Sequence, residues 1–383
     1  MSAGQTSYSA WSLCLSALTA VTVSKQAIFE RMNSAWVETL KSLLKDVIGE
    51  QAKCRIKHSL MNSFNNVWLQ DSTCIKLPPV LFDKFRGNII KGTKNAVAKL
   101  NVIVNLLDGS CAALQWSAFT KTEQALSTDI FSVARKGDLV IRDLGYFTFD
   151  SFEKMNMDGI WFLSRWRYGI LLFNAKNGNP VDLINLLGNK AFVDIEILCG
   201  EKRVPMRLVA IKCDDAQAAE RIRKAKANRH RAANHSPDYY TLLGYVIFLT
   251  NVKTETWNYK QIAAAYRLRW NIEILFKSWK SYLNFERMIP EARTNVYRVE
   301  SWLYLLMLYV CWFQQIVYTP LMLRRIKVSI MKVTRWALLN TWKWITHLKP
   351  CNWIAEITYL CSYDTRRRSN AFARLDSLFN LLA

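Results

Sequence analysis

The sequence predicts an α/β fold, and three observations predict it. Apolar runs of strand length recur between residues 66 and 167, with helical stretches between the later ones. Two of those runs carry an acid, Asp71 and Asp143, where a core strand would rather be apolar. An amphipathic, cation-rich helix follows after a further block of strands.

Residues 1–62 read as helical. "TVSKQAIFERMNSAWVETLKSLLKDVIGE" opens on a Thr/Ser cap signal and keeps Ile28, Met32, Val37, Leu40 and Leu44 near helical spacing. "VSKQAIFERM" suits the second helix of a helix-turn-helix with Lys25, Gln26 and Arg31 outward, and suits a plain packing module at least as well. "NVWLQDSTCIKL" then reads as a strand interrupted by Asp71. "AKLNVIVNLLDGSCAALQW" alternates Leu100, Val102, Val104 and Leu106 before Asp108-Gly109, a strong hairpin signal. "TKTEQALSTDIFSVARKGD" reads as a helix, "DLVIRDLGYF" as a short buried strand ending at Asp143, residues 151–157 as a helix and "IWFLSRW" as a strand. Strand, strand, strand, helix, strand, helix, strand is the order of a ribonuclease-H-like (retroviral-integrase-like) sheet.

Between residues 168 and 256 that order is broken by four more strands, "YGILLFN", "FVDIEILCG", "VPMRLVAIKC" and "LLGYVIFLTN". A basic helix, "AAERIRKAKANRHRAANH", carries Arg221, Arg223, Lys224, Lys226, Arg229 and Arg231 among them. This is a β-rich insertion. "WLYLLMLYVCWFQQIVYTPLML", residues 302–323, is long enough to span a membrane. Gln314, Gln315 and a break at Pro320 make it a buried core helix instead.

The 383 residues are half hydrophobic, enough for a sizeable core, yet carry 52 Lys+Arg against 30 Asp+Glu, a net +22. Such a surplus points to a polyanion, most commonly nucleic acid. Nine cysteines without C-x-x-C or a His/Cys cluster exclude a disulfide framework and a zinc site, and fit free thiols in a reducing cytosol. No basic-then-apolar leader precedes Lys25.

In "YRLRWNIEILFKSWK", residues 266–280, Tyr266, Arg269, Glu273 and Lys280 fall within an arc of roughly 60° on one helix, with Lys277 beside them. Leu268, Ile272, Leu275, Trp279 and Leu283 form the opposite, core-facing stripe. A solvated face laced by Arg269–Glu273–Lys277 pairs would account for this helix alone. Asp71 and Asp143 taken singly read as strand-end turn formers or satisfied core acids. Together the three acids say more. In a sheet of order 3-2-1-4-5 the first and fourth strands are neighbours, so Asp71 and Asp143 lie side by side and need a divalent cation. Glu273, on a helix across that sheet edge, completes a site for two Mg²⁺ ions that clamp the oxygens of a phosphoryl transfer. Tyr266, Arg269, Lys280 and Lys277 then offer donors to the flanking phosphates.

Tyr-x2-Arg-x3-Glu-x6-Lys, met by Tyr266, Arg269, Glu273 and Lys280, resembles the pattern of the insertion-sequence-four family of DDE transposases. "LRWNIEILFKSWKS" is similar to that family's core, "LQDSTCIKLP" to its first-Asp segment, "RDLGYF" to its second-Asp segment and "LTN" (249–251) to the end of its insertion. The resemblance covers about residues 65–320. It implies a catalytic domain over 63–167 and 257–323 with the insertion at 168–256; the helices of 1–62, expected to form a DNA-binding region, match only in kind, and 324–383, expected to be basic and helical, carry no motif of the family. It implies excision of an element at its terminal inverted repeats and transfer of the 3′-OH ends to target DNA, with Mg²⁺, or Mn²⁺ in its place. Asp71, Asp143 and Glu273 would hold metal, and Tyr266, Arg269 and Lys280 the DNA end. The partners implied are double-stranded DNA and a second copy on paired ends, with no membrane, in the cytoplasm at the nucleoid. Relatives that form a hairpin at the element end place a stacking Trp before "LTN". Here "GYVIFLTN" offers Tyr245 and Phe248, so Tyr245 is the expected stacking residue and Phe248 a core one. A nuclease of the same fold without strand transfer and a catalytically silent, transposase-derived DNA-binding protein are the alternatives.

Overall fold

The computed structural model describes residues 8–51, 62–227, 236–283, 296–345 and 352–363. The chain packs as two compact units, one of Met1–Lys57, Leu69–Thr122 and Trp270–Ala383, the other of His58–Trp68 and Glu123–Arg269. Both mix helix and strand.

The first unit begins with helices α1 (Tyr8–Thr19), α2 (Lys25–Arg31) and α3 (Ser34–Gly49). Ser24 caps α2 by accepting from the Ala27 N–H. Asn33 divides the expected long helix in two, because its side chain accepts from the Trp36 N–H and starts α3 afresh. Ile28, Met32, Val37, Leu40 and Leu44 are all buried, as their spacing predicts, while Lys25, Gln26 and Arg31 face solvent. Strands β1 (Val67–Leu77), β2 (Arg86–Ile90), β3 (Thr93–Asn105) and β4 (Cys111–Ala118) follow. β3 pairs with β1, with β2 along its first residues and with β4 along the rest. The β3–β4 hairpin forms at Asp108–Gly109 as predicted, through a loop of residues 106–110 rather than a two-residue turn. Gly109 takes φ +73°, its N–H donates to the Asn105 carbonyl, and the Asp108 carboxylate accepts from the Ser110 N–H. Strand β2 was not expected.

The second unit holds β5 (Leu139–Arg142), α4 (Phe149–Met157), β6 (Trp161–Arg165), β7 (Leu172–Asn174), α5 (Leu183–Leu187), β8 (Phe192–Cys199), β9 (Val204–Lys212), α6 (Asp215–Ala227), α7 (Pro237–Leu242), β10 (Tyr245–Thr250) and α8 (Tyr259–Arg267). Its strands run in the order β5-β6-β10-β9-β8-β7, parallel at β5–β6 and antiparallel beyond. The β5-α4-β6 crossover is the βαβ unit a parallel pair requires. The strands of residues 168–256 therefore extend the β5–β6 sheet, with β10 lying directly on β6. The helix expected across "TKTEQALSTDIFSVARKGD" is absent, and only a 3₁₀ turn at Ser127–Ser132 forms. The Ser127 carbonyl, an acceptor an α-helix would use, instead takes the buried Arg142 guanidinium at 2.9 Å. Of the basic helix, α6 carries Arg221, Arg223, Lys224 and Lys226; Arg229 and Arg231 lie outside the described residues.

Back in the first unit come α9 (Trp270–Tyr282), α10 (Val296–Trp312), a π-type turn at Phe313–Tyr318, α11 (Thr319–Leu323), α12 (Ile330–Ile345) and α13 (Trp353–Leu360). The expected break at Pro320 does not occur. The widened turn before it absorbs the N–H that proline lacks, and the helix resumes through α11. Val296–Leu323 is long and apolar enough to cross a membrane by length and composition, and half of its apolar window is buried inside the protein. Within it Glu300 is buried and ion-paired with Lys84 at 2.7 Å.

Candidate active site

Asp143 stands one residue past the carboxyl end of β5, at the place where open α/β sheets present their ligands. Its backbone is extended (φ −76°, ψ 165°), and a single 3₁₀ turn, Leu144–Tyr146, leads the chain away. Arg142 before it is fully buried against Phe152, and burial pulls its pKa down to about 10.

Tyr266 and Arg269 converge on this carboxylate from the same unit. The Tyr266 hydroxyl donates to Asp143 Oδ1 at 3.5 Å, and Arg269 Nε lies 3.7 Å from the same oxygen. The Arg269 side chain is only 14% exposed, against 41% for Asp143. Its guanidinium sits 5.8 Å from the Tyr266 ring centre, and Phe248 lies 5.2 Å from the same ring. Burial pushes the Tyr266 phenol up to about 12, opposed by Arg269 and reinforced by Asp143. The phenol therefore stays a proton donor to its neighbours well into the alkaline range.

Arg165, at the end of β6, is a member of this cluster that sequence reasoning missed. Burial lowers its pKa first, then the like charges of Arg221 and Arg269, while Tyr266 and Asp143 act in the opposite sense. One half-buried carboxylate thus shares its surroundings with several cations, and guanidinium groups are of the kind that bind phosphate oxygens. The signal available was a cation closing an otherwise apolar strand, "IWFLSRW".

Longer-range contacts hold α8 in place. Arg207 of β9 grips Asp194 through two hydrogen bonds of 2.7 and 2.6 Å and donates to the Val252 and Trp257 carbonyls. Asn251, the Asn of "LTN", accepts from the Phe162 N–H and donates to Asn156 and the Ile160 carbonyl, tying the end of β10 to the start of β6. Asn258 and Gln261 then form a reciprocal capping box at the start of α8.

The first unit carries the remaining motif residues. Asp71 sits half-buried within β1, its Oδ1 accepting from the Ser72 N–H at 2.8 Å. Glu273 lies half-buried in the first turn of α9, where the helix N-terminus favours a carboxylate. Lys277 and Lys280 are exposed on the same helix, whereas Ile272, Leu275, Trp279 and Leu283 are buried, as is Leu268 before it. The expected single helix from Tyr266 to Lys280 is interrupted. At Leu268 and Arg269 the backbone bonds tighten to i→i−3, so Tyr266 belongs to α8, Arg269 to the turn, and Glu273, Lys277 and Lys280 to α9.

Tyr245 is not a free stacking platform. It is 4% exposed, and its hydroxyl donates to the Gly188 and Lys190 carbonyls at 3.0 and 3.2 Å. Its hydroxyl is held by the segment that follows α5. Phe248 is buried as expected, but against Tyr266. Three carboxylates offer the hard oxygen donors that Mg²⁺ and Mn²⁺ prefer. Among the described residues, no three His, Cys, Asp or Glu side chains are gathered closely enough to hold a metal ion.

This arrangement, an acid ending a parallel strand beside a Tyr and an Arg from a later helix and turn, falls within a recognised domain. Residues 63–310 match the transposase DDE domain, and the chain belongs to that family. Its relatives include the transposase for insertion sequence element IS231F of Bacillus thuringiensis subsp. israelensis, 27% identical over 326 residues, spanning 78% of this chain and 67% of the relative. The transposase for IS231E of Bacillus thuringiensis subsp. finitimus is 27% identical over 70% of this chain and 60% of its own length. The transposase for IS1151 of Clostridium perfringens is 25% identical over 69% of this chain and 60% of its own length. The match thus spans about 60–67% of the length of these relatives. A cryo-EM structure of the piggyBac transposase synaptic complex with hairpin DNA aligns with a TM-score of 0.44 and 11% identity, over 91% of this chain and 67% of that one.

Proposed function

We propose that this protein is a DNA transposase that binds the terminal inverted repeats of an insertion sequence, cuts the element ends and joins their 3′-OH groups to target DNA. The observation that carries the reading is the approach of Tyr266 and Arg269 to within 3.5 and 3.7 Å of Asp143, inside the span that matches the family. On this reading Asp71, Asp143 and Glu273 would hold the divalent ions, Mg²⁺ or Mn²⁺, once DNA and metal bring them together, and the ions would supply the means to activate water and stabilise the leaving oxygen. Arg269 and Arg165 neutralise phosphate oxygens at the cut, and the Tyr266 hydroxyl, kept protonated by burial, donates to one of them. Lys277 and Lys280, exposed on α9, contact the backbone of the held end.

The first reaction is hydrolysis: water oxygen bonds to phosphorus, the 3′-oxygen leaves as a 3′-OH, and a 5′-phosphate remains. In the second, the freed 3′-OH attacks a target phosphodiester and displaces its 3′-oxygen. The ribonuclease-H-like catalytic domain of this reading comprises 63–167 and 257–323, supported by the β5-α4-β6 unit, with 168–256 as its insertion. Residues 1–62 are its helical DNA-binding region and 324–383 its basic helical one. It acts as a homodimer on paired ends, in the cytoplasm at the nucleoid.

Incubation with Mg²⁺ and DNA carrying the element's own ends tests this. Joined product supports it; cut-only product would make the protein a nuclease, and bound, uncut DNA a silent derivative. Asp71→Asn, Asp143→Asn and Glu273→Gln should each abolish cleavage yet keep end binding, which rests on cations. Loss of binding together with cleavage in all three, with folding intact, would make them structural acids.

A further inference from the structure

β2 and β3 meet at a hairpin tip built unlike an ordinary solvent loop. Lys91 and Gly92 both take positive φ (48° and 78°), the two-residue turn that matches strand twist. Ile90 pairs with Thr93 and Ile89 with Lys94 across it. The Asn95 amide braces the tip by donating to the Asn88 and Thr93 carbonyls at 3.1 and 3.2 Å. Gly87 lets the two strands close together, since a Cβ there would collide with the Asn95 carbonyl oxygen and the Val97 side chain. The result is a stiff two-stranded ribbon.

Its end is apolar. Ile89 and Ile90 are 54% and 60% exposed, one on each face of the ribbon. Apolar side chains held out on a stiff ribbon, one to each side, offer contact surface to a partner. The charge pattern says which kind. From Lys84 to Leu107 the chain holds five cations (Lys84, Arg86, Lys91, Lys94, Lys99) and no acid. Lys84 is paired with Glu300, whereas Arg86 and Lys94 both lie over the Phe82 ring, at 5.9 and 5.3 Å, on an exposed surface.

From this geometry we infer that the Arg86–Lys94 hairpin is a DNA-reading finger for the element's terminal repeat: the ribbon enters the major groove, Ile89 and Ile90 meet thymine methyl groups, and Arg86, Lys91 and Lys94 neutralise the flanking phosphates. The inference rests on the transposase reading above. A major groove about 12 Å wide admits a two-stranded ribbon, and thymine is the base that offers a methyl group there. Cations alone would serve DNA of any sequence, whereas apolar contacts to base edges carry sequence information. The terminal repeat, the sequence present at every element end, is therefore the fitting partner rather than arbitrary target DNA.

The test compares binding of the full chain to three duplexes: the inverted repeat that brackets the reading frame, a scrambled duplex, and the repeat with uracil in place of thymine. Ile89→Ser with Ile90→Ser should weaken repeat binding on the order of tenfold and leave scrambled binding unchanged. Uracil should weaken the parent and add no further loss in that variant, because both remove the same contact. Lys91→Ala with Lys94→Ala should weaken both sequences together and reduce the salt slope by about 2. An isoleucine variant with parental preference for the repeat, or a parent indifferent to uracil, overturns the finger while the transposase reading stands. A parent that does not prefer the repeat at all overturns both. The uracil arm uses the unaltered protein, so misfolding of a variant cannot decide the outcome.

Discussion

A phenol that donates to a carboxylate keeps that role only while it holds its proton. For Tyr266 burial sets that limit at about pH 12 rather than its ordinary 10. The folded-state pKa is raised, so the stabilisation is complete below pH 10, falls between 10 and 12, and is gone above 12, when both states have lost the proton. Tyr266→Phe removes this term. The stability difference between parent and variant should be constant to about pH 10 and then shift against the parent by about 2 kcal/mol by pH 12. Urea unfolding from pH 8 to 12 measures it, and a difference that does not change with pH would show that Tyr266 titrates normally. Tyr245 makes a contrasting case. Tyr245→Phe deletes hydrogen bonds to two carbonyls and should cost about 1–2 kcal/mol, Tyr245→Ala about 3–5 kcal/mol. Second-strand cutting by a folded Tyr245→Leu variant, which has no aromatic face, should match the parent on a denaturing gel. A slower second cut would restore Tyr245 to the reaction.

Among the elements, α8 and the loop before it depend on one buried ion pair. Arg207 and Asp194 are 6% and 15% exposed at their side chains, and Arg207 also holds the two carbonyls that lead into α8. Arg207→Met strands Asp194 and should cost about 3–5 kcal/mol, whereas adding Asp194→Leu should recover much of it. Thermal unfolding reads both. Equal stability in the single variant and the parent would mean the loop is held some other way. The turn at Leu268–Arg269 matters for the same reason. It ends α8 after Tyr266 and puts Arg269 beside Asp143, so Arg269→Ala should weaken binding of the cleaved end more than that of internal repeat sequence. Gel shifts with cut and uncut ends compare the two, and equal losses would place Arg269 outside the active site.

For the whole molecule the dominant physical fact is the net charge of +22. A polyanion partner that displaces counterions makes affinity fall linearly on a log–log plot against salt, with a slope of about −0.9 for each phosphate neutralised. A steep slope is expected, because cations lie on the β2–β3 hairpin, α6 and α9 alike. Affinity nearly independent of salt between dilute and physiological buffer would count against nucleic acid as the partner. The long apolar helix Val296–Leu323 bears on the same question. Its buried Glu300, paired with Lys84, and its buried Gln314 are the marks of packing inside a protein core.

By itself the sequence determined what depends on near neighbours. The Asp108–Gly109 turn, the capped helix at Ser24, the strand before Asp143 and the buried stripe from Leu268 to Leu283 all follow from turn chemistry and periodicity, which act over a few residues. The spacing of Tyr266, Arg269, Glu273 and Lys280 was legible for the same reason, because it is a pattern along one stretch of chain. Only the tertiary structure decided the rest. The Ser127 carbonyl goes to Arg142 instead of a helix, Arg165 joins Asp143 from another strand, β10 settles on β6, and the Tyr245 hydroxyl is spent on Gly188 and Lys190. Each is a contact between residues distant along the chain, and a buried polar group takes whichever partner the packing brings near.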